Sequence, residues 1–190
     1  MTIPLPFVWP YWLPFWIVYV WAFVPEARII RQARVTKTDS GSLRVILAGM
    51  NVAMLIAFVV AFFVSPVAHR LAWFWAGTAT LLCGSLLRRH CFRVLGEFFT
   101  GAVNVAPDQK VIDRGAYKWV RHPSYTAGIL VMTGIGLALG NWVSVALVVA
   151  ASIAVYSYRV AVEEKALLST IGEPYRTYMA GRKRFIPFVV

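Results

Sequence analysis

From Pro123 to Tyr158 the chain carries no charged side chain. Backbone polar groups in lipid must be satisfied within the segment itself, so such a run is helical if it enters a membrane. A helix needs about 20 apolar residues to cross the hydrocarbon core, with roughly 17–25 tolerated. The run is too long for one crossing and barely long enough for two, and "LGNW" (139–142) supplies the turn between them. The reading is a tight helical hairpin.

Three further segments qualify as crossings. Phe7 to Val24 is rich in aromatics and contains Pro10 and Pro14, which are expected to kink or loosen its first half. Val45 to Val64 has one polar residue, Asn51, and "SPVAHR" joins it to a third span from Leu71 to Leu87. The expectation is an all-α integral membrane protein of five transmembrane helices. Composition agrees, since 59% of residues are hydrophobic against about 45–50% in soluble domains.

Lys and Arg outnumber Asp and Glu by 19 to 8, a net charge of +11. In a soluble chain that excess suggests nucleic acid; here topology accounts for it. Arg28, Arg31, Arg34, Lys37 and Arg44 flank the first loop, and Arg88, Arg89, Arg93, Lys110, Arg114, Lys118 and Arg121 lie between spans three and four. Arg159, Lys165, Arg176, Arg182, Lys183 and Arg184 follow span five, leaving only Arg70 on the opposite side. The positive-inside rule then puts the N-terminus outside and the C-terminus in the cytoplasm. Nucleic acid is not an expected partner; membrane lipids are. "MTIPLPFVWP" has neither a basic n-region nor a small-residue cleavage pattern, so it reads as the approach to a first span rather than a removable signal. Cys83 and Cys91 show no metal-ligand spacing and read as free thiols. No feature specifies an oligomeric state.

The chain reads as one membrane domain with two cytoplasmic excursions, divided into residues 1–94, the first three spans, and 95–190, which holds the hairpin and the segments that carry the candidate chemistry below. The segment 88–121 is too long for a simple connector and too rich in Phe and Val for disorder. The tail from Glu163 reads as an extension of span five, a break at "GEP", and a short amphipathic helix. Gly136 and Gly140 have the GxxxG spacing that favours close helix packing.

Four features carry candidate chemistry. Arg121-His122-Pro123-x-Tyr125 stands at the hairpin entrance, where Pro123 suits a first helical position and biases His122 toward extended backbone. Interfacial anchoring and a ligand site both account for it. Arg159 lies one helical turn before Glu163, with Glu164 beside it, at the end of span five. Ionisable groups at membrane depth are functional candidates by default, and snorkelling is the alternative. "DQKVIDRGAY" (108–117) has Gly115 for a tight turn, and Val111 and Ile112 whose extended backbone lays amides against a ligand. "GEPYRTYMAGRKRFIP" sets Tyr175 and Tyr178 before a basic cluster, also the pattern of a helix that binds headgroups. Zincin, CxxC, nucleophile-elbow and Walker motifs do not occur, so no metal is expected.

Taken in order, "LGEFFTGAVNV", "QKVIDRGAYKWVRHPSYTAG", "RVAVEEKALLSTIGEPYRTY" and "RFIP" resemble the isoprenylcysteine carboxyl methyltransferase family. The resemblance runs from about residue 95 to 187 and rests on the sequence of motifs G-x-Y-x-x-x-R-H-P-x-Y, hairpin, R-x-x-x-E-E-x-x-L and G-x-x-Y-x-x-Y. It implies a membrane-embedded methyltransferase using S-adenosyl-L-methionine, with S-adenosyl-L-homocysteine as product and a pocket built from cytoplasmic segments. His122, Pro123, Tyr125 and Gly128 would line that pocket with the segment Gln109, Lys110, Val111 and Ile112, the turn at Gly115, and Tyr117, Arg121, Glu163 and Glu164. Arg159 would face the acceptor and hold its carboxylate with two prongs, organised by Glu163 or Glu164. One position departs: Gln109 stands where many members carry His, and Gln is never cationic.

The expected acceptor is a prenylcysteine-like or other lipophilic carboxylate, small or attached to a protein, entering from the bilayer. A phospholipid N-methyltransferase or small-thiol S-methyltransferase is the nearest alternative, with Glu163 or Glu164 as base. A non-catalytic membrane scaffold gripping anionic headgroups is the alternative of another class.

Overall fold

The computed structural model describes residues 2–33, 35–106 and 108–186. Arg34 of the basic count and Pro187 of "RFIP" lie outside them. Among the described residues six α-helices follow in chain order: α1 Trp12–Gln32, α2 Ser42–Phe63, α3 Arg70–Leu95, α4 Pro123–Leu139, α5 Trp142–Ile171 and α6 Glu173–Ala180. Single 3-10 turns occur at Leu5–Phe7, Lys37–Asp39, Gly96–Phe98 and Gly115–Lys118. Among the described residues there is no strand; one parallel bridge joins Val120 to Lys183. By length and composition α1, α2 and α5 can cross a membrane, and α4 is apolar over 17 residues. The chain is an all-helical integral membrane protein.

The hairpin forms as its sequence dictates. Gly140 ends α4 in the left-handed region at φ 74°, a conformation that glycine adopts without penalty. Asn141 then caps α5, its side-chain oxygen accepting from the Ser144 amide at 2.8 Å. Pro123 occupies the first turn of α4, where its missing N–H costs nothing.

Three expectations are corrected. The first helix starts at Trp12, not Phe7, and runs past Val24 through Arg28 and Arg31 to Gln32, so these two arginines, which flank the loop as expected, belong to the helix itself. Pro10 precedes that helix and Pro14 sits in its first turn, where no i−4 bond exists to lose, so neither interrupts it; the proline inside α1 is Pro25. Arg88 to Leu95 belong to α3 rather than to the connector that follows it.

The closest packing is between α3 and α4. A Cβ at Gly77 would lie 2.3 Å from the Ala138 amide nitrogen, and one at Gly134 would lie 2.4 Å from that of Leu81. Small residues let the two backbones touch, the usual solution where lipid offers no hydrophobic drive. Of the expected GxxxG pair, Gly136 packs on α5 near Val145, whereas Gly140 serves the turn. Phe15, Phe74, Leu81, Ile135 and Val148 fill the core around this contact, and the Ser144 hydroxyl donates across to the Ala57 carbonyl of α2 at 2.9 Å.

Beyond the hairpin α5 continues to Ile171, carrying Arg159, Glu163 and Glu164 with it. The chain breaks at Gly172, φ 71°, and α6 folds back so that Tyr175 and Tyr178 pack with Leu167, Val105 and Val111. The extension and break match the sequence reading.

Gly77→Ala is expected to destabilise the protein by roughly 1–3 kcal/mol or more, because the methyl group meets backbone that cannot yield. Gly181→Ala, where a Cβ meets nothing within 4 Å, is expected to leave the thermal midpoint in detergent unchanged. Equal midpoints for the two variants would contradict the contact.

Candidate functional site

A cleft enclosing about 790 Å³ of empty space, including its open mouth, lies between the segment 95–112, the step before α4, the end of α5, and α6. Its lining includes Gln109, Lys110, Val111, Ile112, Tyr117, Arg121, His122, Tyr125, Arg159 and Glu163. Four expected residues lie elsewhere. Pro123 is buried beneath as the start of α4. Gly115 is a turn residue at φ 59° whose Cβ would meet His90. Glu164 stands behind His122. Gly128 faces a second cavity and gives room to Tyr156, whose hydroxyl would lie 2.3 Å from a Cβ there.

Glu164 is the hub of the cleft's back wall. Its Oε1 lies 3.2 Å from His122 Nε2 and 3.1 Å from Arg121 Nη1, while Oε2 accepts from Arg184 Nη2 at 2.8 Å. The tail completes this wall: the amides of Arg121 and His122 donate to the carbonyls of Lys183 and Arg184 at 2.9 and 3.0 Å. His122 is thereby buried in the non-helical step expected before Pro123. Its ring stacks on Tyr125, and Tyr125 stacks on Tyr156, with centroids 5.7 and 5.0 Å apart.

Glu163 has a different partner, accepting from the Tyr125 hydroxyl at 2.6 Å. The same hydroxyl accepts from Arg159 Nε at 3.1 Å, so Tyr125 bridges Arg159 and Glu163. Arg159 is otherwise held from the N-terminal half of the chain. Nη1 donates to Asp39 Oδ1 at 2.5 Å and to the Ser42 hydroxyl at 2.6 Å, and Nη2 donates to the Gly101 carbonyl at 2.9 Å. A guanidinium has five N–H groups, so one remains, on Nη2. The expected two-pronged grip on a carboxylate is thus not available in this arrangement.

Asp39 is fully buried. Burial alone would raise its carboxyl pKa, but the amides of Leu43 and Val103, the Ser42 hydroxyl and Arg159 outweigh that and hold it below the usual carboxylate range. Asp39 is not among the site residues expected from sequence; it lies in the polar stretch "TKTDSGS" between α1 and α2. The signal was there: apart from Glu26, Asp39 is the only acidic residue before Glu97.

Two polar atoms in the cleft's lining residues are buried without a hydrogen-bond partner, the Tyr117 hydroxyl and Arg121 Nε. Burying such groups unpaired is costly. The Tyr117 carbonyl, by contrast, accepts from Tyr178 at 2.7 Å; burial pushes the Tyr178 hydroxyl up to about 12, so it remains a donor at neutral pH. Gln109 lines the cleft but spends its side-chain oxygen on the Ala106 amide at 3.2 Å.

The second cavity, about 1080 Å³ with its opening, is mainly apolar and lies among α1 to α5, where Ile30, Leu47, Met50, Met54 and Met132 line it. At one end Arg88 pairs with Glu26 and donates to the Ser124 carbonyl at 2.6 Å. Ser124 itself lines the cleft. The Tyr125–Tyr156 stack therefore stands between the two spaces, one ring facing each.

The arrangement defines a class: a helical membrane protein with a polar, ion-paired cleft set against an apolar cavity among its helices. The sequence model of the isoprenylcysteine carboxyl methyltransferase (ICMT) family matches residues 76–169, about half of the chain. The protein-S-isoprenylcysteine O-methyltransferase of Tribolium castaneum is 29% identical over 115 residues, 60% of this chain and 41% of that protein. That of Schizosaccharomyces pombe is 31% identical over 111 residues, 57% of this chain and 47% of its own. A solved structure of the eukaryotic intramembrane Ras methyltransferase ICMT aligns at a TM-score of 0.61 and 26% identity, covering 74% of this chain and 51% of that one. The chain belongs to the isoprenylcysteine carboxyl methyltransferase family. It spans about half the length of the curated relatives it matches.

Glu164→Gln leaves Arg121 and Arg184 without their counter-charge. Removing one partner of a buried pair costs roughly 3–5 kcal/mol, and the lower end is expected because Arg184 is half exposed. Denaturant unfolding in mixed micelles checks this; an unchanged midpoint would remove Glu164 as the hub.

Proposed function

We propose that this protein is an integral membrane methyltransferase that binds S-adenosyl-L-methionine in the cleft and takes a lipophilic acceptor from the bilayer. The observation that carries the reading is the pairing of spaces: a polar cleft and an apolar cavity separated by the Tyr125–Tyr156 stack. A water-soluble reactant and a lipid-like one can approach the same wall from opposite sides. Family membership, and relatives named for methyl transfer to isoprenylcysteine, support the same reading.

The cofactor, when bound, supplies the methyl group from its sulfonium. The chain's own residues hold and orient. Tyr117, Arg121, His122 and Tyr125 with Glu163 offer partners to its polar groups, and the backbone at Val111 and Ile112 forms the facing wall. Cleft residues that exclude water and fix the approach account for most of the rate, since orientation alone is worth up to about 7–11 kcal/mol in ideal cases. No metal is needed for this chemistry.

A prenylcysteine-like carboxylate is the acceptor we infer, its head in the cleft beside Arg159 and its apolar chain reaching past the Tyr125–Tyr156 stack toward the cavity lined by Ile30, Met50 and Met54. Such a head is ionised at neutral pH and needs no base. One observation favours a second reading: with four N–H groups of Arg159 engaged, an acceptor that must lose a proton, such as a lipid amine or a thiol, has Glu163 at hand as base through Tyr125. We further infer five crossings, an external N-terminus and a cytoplasmic cleft, from the distribution of Lys and Arg.

Calorimetry with S-adenosyl-L-homocysteine tests the enzyme reading. Wild type is expected to bind at micromolar concentration and His122→Ala to lose that binding. No binding by a folded wild type would move the lipid-binding scaffold to first place. Arg159→Ala is expected to abolish transfer while cofactor affinity stays within about tenfold, or 1.4 kcal/mol. The acceptors separate by direct assay: transfer to a prenylcysteine carboxylate selects the first reading, and transfer only to an amine or thiol of matched apolar chain, lost in Glu163→Gln, selects the second.

A further inference from the structure

The family match begins at residue 76, yet Arg159 is tied down by residues well before it. Asp39 sits in the turn between α1 and α2 and reaches 120 positions along the chain to Arg159 Nη1. Ser42 sits between the two, accepting from Arg159 at 2.6 Å and donating to Asp39 Oδ1 at 3.0 Å. The other contacts of Asp39 hold structure that borders the cleft. Oδ2 accepts from the Leu43 amide at the start of α2, at 3.0 Å, and Oδ1 accepts from the Val103 amide of the cleft wall, at 2.7 Å. The same wall returns a contact to the arginine, since the Gly101 carbonyl takes Nη2.

We propose that Asp39 is the positioning residue of Arg159. It balances the guanidinium's charge, fixes it in one orientation against the cleft wall, and leaves a single Nη2 N–H for one oxygen of the acceptor. This rests on the reading of the cleft as the place of methyl transfer, and it narrows that reading: the acceptor is engaged end-on, through one atom, and not by a two-pronged fork. A free arginine samples many rotamers, and holding it beforehand removes that ordering from the binding step. Asp39 is suited to the task because it is itself held. Three donors besides Arg159 converge on its two oxygens, so the anchor does not move when a ligand arrives.

The test compares Asp39→Asn, which keeps size and one acceptor oxygen but removes the charge, with wild type. Three readouts are needed: S-adenosyl-L-homocysteine affinity by calorimetry, kcat and acceptor KM with a prenylcysteine probe, and amide exchange over residues 100–105. Asp39→Asn is expected to keep homocysteine-product affinity within about threefold, to lower kcat/KM for the acceptor at least a hundredfold, and to speed exchange at Val103. Transfer within threefold of wild type, or cofactor affinity falling as far as transfer does, would overturn the proposal. If Asp39→Asn does not fold, Asp39→Glu decides, since it keeps the charge that meets Arg159 but displaces both oxygens by one methylene. A drop of about tenfold in acceptor kcat/KM at unchanged cofactor affinity supports the proposal, and a change under twofold overturns it. Should wild type transfer no methyl group at all, the enzyme reading falls by itself. Exchange over residues 100–105 then still reports on Asp39, and unchanged exchange in Asp39→Asn overturns its hold on the wall.

Discussion

Taking a carboxylate out of water costs several kcal/mol unless a cation and further donors meet it, and this chain does so repeatedly around its cleft. Glu164 faces Arg121, Arg184 and His122; Asp39 faces Arg159; Glu26, at the apolar cavity, faces Arg88. Each pair joins elements distant in sequence. Asp39 links the α1–α2 turn to α5, Glu26 links α1 to α3, and Glu164 links α5 to the step before α4 and to the tail. In a protein whose helices gain little by hiding apolar surface from lipid, such pairs specify which helix ends meet. The cleft exists where they converge.

Much of this was legible. The charge-free run dictated the hairpin, Gly140 and Asn141 its turn, and Gly172 the break before α6. The cleft's lining draws on each of the segments picked out by motif. What was not legible was the division of labour between Glu163 and Glu164. Adjacent helical residues point about 100° apart, so the two carboxylates meet different partners, Tyr125 for one and His122 with two arginines for the other. Spacing alone put Arg159 and Glu163 on one face and so suggested a direct pair; Tyr125, from another helix, intervenes.

Asp39 was missed for a similar reason. A short polar turn reads as a connector because nothing local says which distant side chain it will meet. The glycine contact between α3 and α4 escaped because Gly77, Gly84 and Gly134 lie on two helices and make no GxxxG spacing in either. Gly128 was legible as important but not as to why: it serves the ring of Tyr156 rather than a ligand in the cleft. Long-range pairing and backbone contact are properties of the assembled helices, and a single chain read in order does not display them.

The two hydrogen bonds that Arg121 and His122 give to Lys183 and Arg184 also set an order of assembly. A membrane protein is made and inserted from its N-terminus, so the helices can be in place while residues 183 and 184 are still to be added. During that interval His122 and Glu164 lack the segment that closes the wall behind them, and Glu164 lacks one of its two arginines. The chain thus passes through a stage in which helices are inserted but the cleft is unfinished, and it is the segment after α6 that completes the site.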